Sequence, residues 1–184
     1  MERDLAERAR GGDHDAFTRL VDGSIGRLYG VAYLILRDQD RASDAVQEAL
    51  IAAWRDIRGL RDPDRVDAWF RRLVVRACYR QARGDRRRTV IELSVVTGDP
   101  SDVGPELSLV ERDLLERAFA QLDPEHRVVL VLRHYLDHSV PEVADILDIP
   151  LGTAKSRLNR ATAAMRAALE ADARAEPVLR GRSA

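Results

Sequence analysis

The sequence predicts an all-α fold that consists of two small helical domains joined by a flexible acidic linker. Ala, Leu, Arg, Asp and Glu dominate the 184 residues and aromatic residues make up only 5%, which favours helix over sheet. Apolar residues recur at spacings of three and four on both sides of one segment rich in Gly, Pro, Ser and Asp. With 45% hydrophobic residues, the chain has enough apolar material for packed cores.

The first domain is predicted over residues 1–90 and contains three helices. The helices are expected at about 13–36, 40–57 and 66–83. Asp13 is a good N-cap for the first of them, and the Asp-Gly pair that begins at Asp22 favours a break inside it. Gly59 closes the second helix and Gly84 the third, because glycine readily adopts the backbone conformation that ends a helix.

A linker is predicted over residues 91–108, where Gly98, Pro100, Gly104 and Pro105 interrupt any helix. The chain has no Lys or Arg at positions 89–106, but it has the acids Glu92, Asp99, Asp102 and Glu106. Positions 71–88, by contrast, carry eight arginines. The formal net charge of -1 therefore hides a basic block followed by an acidic one. This pattern favours partners of opposite charge at different places, with a solvated basic surface as the alternative.

The second domain is predicted over residues 109–170. Asp123 precedes Pro124, an arrangement typical of a helix start. Ser139 and Glu142 have the spacing of a capping box and start another helix. A final helix is expected at about 151–169. The remaining residues, 171–184, are expected to form a disordered tail.

The last two helices of this domain predict a helix-turn-helix, because only a tight turn at about 148–152 separates them. On the final helix, one face is apolar and consists of Ala154, Leu158, Ala161, Met165 and Leu169. The residues expected to contact DNA are Thr153, Lys155, Ser156, Arg157, Asn159 and Arg160. Ser156, Asn159 and Arg160 are expected to enter the major groove, where Asn and Arg can read base edges. Lys155 and Arg157 are expected to flank them towards the phosphates, and Thr153 near the helix start also suits a phosphate. Asp148 stands where such turns usually have glycine, and Asp tolerates the left-handed conformation. A helical hairpin with a polar surface is the alternative.

A second surface is predicted on the third helix of the first domain. On a helical wheel one arc contains Arg72, Arg76, Tyr79, Arg80 and Arg83, with Trp69 at its amino-terminal end. Arginines grip phosphates and aromatic rings stack on unpaired bases, so this arc predicts nucleic-acid binding. Trp69 can equally be a core residue.

A third surface is predicted on the second helix. The residues expected to bind a partner protein are Asp44, Gln47, Glu48, Ile51 and Arg55, whereas Trp54 is expected to face the core. Ile51 lies in the middle of the polar arc. A lone exposed isoleucine is usually incidental, but an apolar centre with a polar rim is also how a docking site for another protein's helix looks.

Other classes of protein are disfavoured. Cys78 is the only cysteine, which excludes an internal disulfide and a cysteine-based metal cage. No apolar signal core and no run of about 20 apolar residues is present, which predicts a cytoplasmic protein without membrane insertion. His134 and His138 lie one helical turn apart and leave open a metal-dependent hydrolase. However, the sequence lacks an HExxH pattern, a Gly-rich phosphate loop and a nucleophile elbow, so neither catalytic residues nor a metal or other cofactor are predicted.

The three surfaces together resemble the extracytoplasmic-function (ECF) group of sigma-70-type factors. Residues 44–54 resemble its core-polymerase-binding helix, with Leu50 where an aromatic is common. Residues 68–88 resemble the segment that opens and reads the −10 promoter element. Residues 122–127, 142–144 and 149–158 together resemble its −35 reader, with Ala154 in place of a more usual valine.

The resemblance implies a transcription initiation factor that binds core RNA polymerase. Its second domain is expected to read the upstream promoter element as duplex, and its first domain to trap the melted downstream element. An anti-sigma factor is an implied further partner. The rival interpretation is a helix-turn-helix regulator that acts without becoming a polymerase subunit, although the first 90 residues lack the strand-helix alternation of a receiver domain.

Overall fold

A computed structural model describes residues 1–85 and 109–180, which belong to two compact units divided near Thr97. Every regular element in these two ranges is helical, so the all-α prediction is confirmed for them. The predicted linker, residues 91–108, lies outside the described residues, as do the arginines at positions 86–88. The two units are described separately below.

Residues 1–85 of the first unit form four α-helices: α1 (Glu2–Arg10), α2 (His14–Leu36), α3 (Gln39–Asp56) and α4 (Val66–Asp85). Two short 3-10 turns, Ile57–Gly59 and Pro63–Arg65, connect α3 to α4. Asp13 caps α2 as expected, because its carboxylate accepts a hydrogen bond from the amide of Ala16 at 3.0 Å. Sequence reasoning missed α1, a largely polar helix that buries only Ala6 and Ala9.

Helix α2 is continuous, so the break expected at Asp22 is wrong. Buried side chains on both sides of this point, Leu20 and Leu28, anchor the helix to the core. The hydroxyl of Ser24, which is also buried, donates a hydrogen bond of 2.7 Å to the carboxylate of Asp67 on α4. Such tertiary contacts outweigh the roughly 1 kcal/mol that a mid-helix glycine costs.

Asp67 joins α2 to α4 and makes the stability of the first unit depend on pH. Burial raises the pKa of Asp67, but the hydrogen bonds from Ser24 and Arg27 and the charges of Arg27 and Arg71 outweigh burial, so the pKa is lowered overall. A carboxyl group with a lowered pKa in the folded state stabilises the fold above its unfolded-state pKa. This contribution is lost as the pH falls through the folded-state pKa.

We therefore expect the unfolding midpoint in urea to fall as the pH is lowered below about 4, and the Asp67→Asn variant to show a flatter decline. Trp54 and Trp69, the only tryptophans of the chain, both lie in the first unit, so their fluorescence reports its unfolding alone. Asp22→Asn removes an exposed carboxylate from α2 and serves as the control. Equal pH dependence of the two variants would contradict the role of Asp67.

The second unit contains α5 (Leu109–Ala120), α6 (Pro124–Leu130), α7 (Val140–Leu147) and α8 (Leu151–Arg180). A π-helical turn, Val131–Tyr135, continues α6. Fully buried aliphatic side chains from α6, the π turn and α7 form the core, among them Val128, Leu132 and Ile146. Asp123 precedes α6 as predicted, but its side chain makes no capping hydrogen bond there.

The connection into the last two helices follows the sequence signals. The amide of Ser139 donates to the carboxylate of Glu142 at 2.7 Å and the amide of Glu142 donates back to the Ser139 hydroxyl at 3.4 Å, so the predicted capping box is present. Asp148 ends α7 in the left-handed conformation, with φ of 52°. The expectation that Asp replaces glycine in this turn is thus confirmed.

Helix α8 is longer than predicted. It continues to Arg180, whereas a disordered tail was expected from Ala171. The carboxylate of Asp172 accepts hydrogen bonds from Arg117 at 3.1 Å and from Gln121 at 3.4 Å, which tie this part of α8 to α5 and to the residue that follows it. Residues 181–184 lie outside the described part of the chain.

Candidate protein-docking and nucleic-acid interfaces

Helix α3 exposes all five side chains that the sequence predicts for a protein-docking face. These residues are Asp44, Gln47, Glu48, Ile51 and Arg55. Ile51 is 46% exposed although it is apolar, and the other four residues of this face are polar. An exposed β-branched apolar side chain is better suited to packing against a partner than to contact with water.

Ile51 lies on the wall of a groove of about 670 Å³ between α2 and α3. The residues that line this α2–α3 groove are His14, Phe17, Thr18, Val21, Ile25, Tyr29, Ser43, Val46, Gln47, Leu50, Ile51, Trp54 and Arg55. On α2 the lining positions extend from His14 to Tyr29, about 22 Å along the helix axis. The groove therefore has the length and apolar character to hold a helix of about four turns.

Sequence reasoning missed half of this groove and misplaced Trp54. The indole of Trp54 is 36% exposed instead of buried in the core, and it lies 5.0 Å from the ring of Phe17 and 4.8 Å from that of His14. The opposite wall, on α2, includes the half-exposed Ile25. The signal for this wall is a second row of side chains on α2 beside the row that faces the core: His14 and Thr18, followed by the apolar or aromatic Val21, Ile25 and Tyr29.

Helix α4 carries four exposed arginines, which we call the arginine stripe: Arg72, Arg76, Arg80 and Arg83. Their spacing of four, four and three residues places them on one face of the helix, as predicted. Trp69, one turn before Arg72, is partly exposed, with its ring 5.6 Å from that of Phe70. The stripe thus presents cations beside an aromatic ring that water can reach.

Tyr79 corrects the prediction for this face. The side chain was expected on the exposed arc, but it is only 5% exposed and belongs to the core of the first unit. The guanidinium of Arg83 lies over its ring, 5.7 Å from the centroid. Tyr79 lies at the edge of the arc, and this edge faces the core because of the way α4 packs against its neighbours. Tyr79 therefore cannot stack on a base without leaving the core.

One ion pair joins the face of α3 to the arginine stripe. Arg80 donates a hydrogen bond of 2.7 Å to the carboxylate of Glu48. Both side chains are about half exposed, so this pair contributes little to stability, on the order of 0–1 kcal/mol. A competing anion or cation can therefore separate it at low cost.

Helix α8 exposes most of the side chains that the sequence predicts for DNA contact. Lys155, Ser156, Asn159 and Arg160 are exposed and Thr153 is half-buried. The Ser156 hydroxyl donates to the carbonyl of Thr153 at 3.0 Å, and Nε of Arg160 donates to the carbonyl of Ser156 at 3.3 Å. The opposite face is buried through Ala154 and Ala161. The amino-terminal part of α8 therefore has the polar surface that a major groove accommodates.

Arg157 is the exception on this helix. Its side chain is 16% exposed and pairs with the carboxylate of Glu125 on α6, with Nη2 and Oε2 3.3 Å apart. The sequence prediction placed it towards phosphates, but Arg157 lies on the flank of α8 that faces α6. Sequence reasoning also missed Glu125, because a glutamate in the first turn of a helix is ordinarily explained by the helix dipole.

Neither a metal site nor a membrane span is found in the described ranges. Among residues 1–85 and 109–180, no three His, Cys, Asp or Glu side chains are grouped so that they could hold a metal ion. Within the same ranges, no helix combines the length and the apolar character that crossing a membrane requires.

Comparison with known proteins gives the class to which these surfaces belong. Residues 20–88 match the family model for sigma-70 region 2, and residues 112–165 match that for sigma-70 region 4. The first match covers α3 and α4 with most of α2, and the second covers the helix-turn-helix. The chain therefore contains the two regions of sigma-70-type transcription initiation factors in the order predicted.

Whole-chain relatives narrow the class. The ECF RNA polymerase sigma factor SigL of Mycobacterium tuberculosis is 32% identical over 82% of this chain and 87% of its own length. The ECF RNA polymerase sigma factor SigW of Bacillus subtilis is 26% identical over 90% of this chain and 95% of its own. The chain belongs to the ECF group of the sigma-70 family, and it gives RNA polymerase its promoter specificity.

Solved structures show the same fold. CnrH, solved in complex with the cytosolic domain of CnrY, is 26% identical, with a TM-score of 0.55 over 93% of this chain and 98% of CnrH. The sigma factor RpoE from Bartonella quintana, solved with the anti-sigma factor NepR, is 23% identical, with a TM-score of 0.61 over 85% of this chain and 98% of RpoE. The second likeness concerns the fold alone.

Proposed function

We propose that the first unit docks on core RNA polymerase through the α2–α3 groove, with Ile51 as the central contact. The observation that carries this proposal is a half-exposed isoleucine on the wall of an apolar groove. The exposed side chains of Gln47 and Arg55 line the same groove, and Asp44 and Glu48 extend the polar rim along α3. An apolar centre that excludes water within a polar rim is the usual anatomy of a protein interface.

The arginine stripe of α4 is proposed to hold the downstream promoter element. Exposed guanidinium groups at one-turn intervals suit a phosphate backbone, and the partly exposed ring of Trp69 suits stacking on an unpaired base. The polymerase-binding and DNA-binding surfaces would then lie on neighbouring helices of one unit. DNA captured by α4 is thereby held beside the enzyme docked on α3.

The second unit is proposed to read the upstream promoter element as duplex through α8. Asn159 and Arg160 can form bidentate hydrogen bonds with base edges, while Lys155 near the helix start suits a phosphate. The factor makes and breaks no covalent bond in this scheme. We place it in the cytoplasm with the polymerase, and we propose an anti-sigma factor as a further partner, since CnrH was solved in complex with the cytosolic domain of another protein, CnrY.

The test is reconstitution. We expect the purified protein to direct core polymerase to a small set of promoters and to bind the same duplexes only weakly by itself. Sequencing the DNA selected by the reconstituted holoenzyme from genomic fragments identifies both promoter elements. Tight, sequence-specific binding of the duplex by the protein alone, with no gain from core polymerase, would instead indicate a regulator that is not a polymerase subunit.

We expect Arg76→Ala and Arg80→Ala each to weaken promoter opening and to reduce its salt dependence. Each arginine should neutralise about one phosphate. The slope of log affinity against log salt concentration is negative, and its magnitude should therefore decrease by about 0.7–0.9 per substitution. Open-complex formation over a salt series measures this slope. Arg19→Ala removes an exposed arginine of α2 and serves as the control. An unchanged slope in both stripe variants would show that the arginine stripe is a solvated surface that does not contact phosphates.

A further inference from the structure

The ion pair between Arg157 and Glu125 connects the DNA-facing helix to its support. Arg157 lies on α8 between Ser156, which is exposed, and Leu158, which is half-buried. Glu125 lies in the first turn of α6, and its side chain is only 9% exposed. Charged side chains are seldom buried to this extent unless they are paired, because each loses most of its hydration. The pair therefore holds a defined geometry.

The support on the α6 side is itself fixed. Arg127, two residues after Glu125, is buried and donates a hydrogen bond of 3.2 Å to the carbonyl of Ala120 at the end of α5. Val128 and Val129 follow immediately and are fully buried. Glu125 is thus presented to α8 from a helix that is anchored both by a hydrogen bond to the preceding helix and by the core.

The apolar contact of α8 does less to fix its orientation. Its fully buried positions in the DNA-facing segment are Ala154 and Ala161, each of which contributes a single methyl group. Helices settle against one another by fitting side-chain ridges into grooves, and alanine ridges are shallow. Two buried methyl groups therefore oppose a small rotation of α8 about its axis less than two larger buried side chains would. The same rotation would pull apart two poorly hydrated charges, which is strongly unfavourable.

We propose that the Arg157–Glu125 pair sets the rotation of α8 about its axis and so determines where Ser156, Asn159 and Arg160 point. Arg157 is then a positioning residue for base recognition and does not contact phosphate. This inference rests on the proposed reading of the upstream element by α8. It assigns part of promoter discrimination to Glu125, an anionic residue outside the DNA-facing helix.

A double-mutant cycle tests the proposal. Holoenzymes carrying Arg157→Gln, Glu125→Gln or both substitutions are compared with wild type for affinity to promoters with the selected upstream element and with that element scrambled. We expect each single variant to reduce the ratio of the two affinities about tenfold, and the double variant to reduce it no further, because residues that act as one unit are not additive. The salt slope should stay unchanged, and Arg157→Lys should restore part of the ratio.

Two results would overturn the proposal. If Arg157→Gln weakens both promoters alike and lowers the salt slope by about one, while Glu125→Gln does neither, Arg157 is a phosphate contact. If the variants lower only the thermal midpoint and keep the ratio, the pair is merely stabilising. Asn159→Ala and Arg160→Ala separate these failures from that of the proposed function. If both variants keep the ratio of the two affinities, α8 does not read the upstream element and the proposed function fails. If they reduce the ratio while the pair variants keep it, only the positioning role of the pair is wrong.

Discussion

Ile51→Glu is expected to abolish assembly with core polymerase while leaving the first unit folded. Ile51 is half-exposed in the free protein, so a glutamate there remains hydrated and the fold tolerates it. Once a partner helix covers the α2–α3 groove, the same carboxylate is buried without a partner, at a cost of several kcal/mol. We therefore expect a loss of affinity of at least about a hundredfold, measured by fluorescence anisotropy of the labelled protein with core enzyme.

Two matched variants test whether the loss of affinity arises from the α2–α3 groove or from the added charge alone. Ile25→Glu places the same charge on the α2 wall, where the native side chain is equally exposed, and it should also weaken binding if the partner fills the groove. Arg19→Glu changes an exposed residue of α2 that is not part of the lining and should have a small effect. Wild-type affinity of Ile51→Glu would exclude this face as the docking site. A loss confined to Ile51→Glu would narrow the contact to α3.

Asn159→Ala and Arg160→Ala are expected to reduce the affinity of the holoenzyme for the selected upstream element by about 1–3 kcal/mol each. A side chain that reads a base edge contributes only where the matching base is present. On promoters with a scrambled upstream element the same variants should therefore lose little. Affinities for matched and scrambled promoters at one fixed salt concentration measure the difference.

Lys155→Ala is the comparison for these variants, because a phosphate contact supports all sequences alike. It should weaken matched and scrambled promoters by similar factors and reduce the salt slope. If Asn159→Ala and Arg160→Ala behave in the same way as Lys155→Ala, these residues contact phosphates, and α8 enters the groove in another orientation than proposed.

The fold was largely predictable because local signals and packing agree along most of the chain. Asp13, the Ser139 capping box and the left-handed Asp148 each mark a helix end by short-range hydrogen bonding or backbone preference, which a sequence states directly. Two of the errors, the break expected in α2 and the early end expected for α8, have the same physical origin. At Ser24 and at Asp172, contacts with distant residues keep a helix going where local composition favours its end.

The candidate surfaces were predictable only one helix at a time. A helical wheel placed Ile51 and the arginine stripe correctly in solvent, but it gives the edges of an arc no better than about one residue. Tyr79 and Arg157 both lie at such edges, and the neighbouring helix decides which way each one faces. For the same reason, the α2 wall of the groove and Glu125 became visible only once two helices could be considered together.

The length of α8 has a consequence for how promoter preference can diverge. Asp172 fastens α8 to α5. It lies about 25 Å along the helix axis from Lys155, which belongs to the DNA-facing turns. The contact with α5 and the DNA-facing residues thus lie in different parts of the same helix. Lys155, Ser156, Asn159 and Arg160 are exposed and distant from this contact, so substitutions at these positions can give the factor a new set of target genes while α8 stays fastened to α5. Duplicated genes can thereby acquire separate regulons.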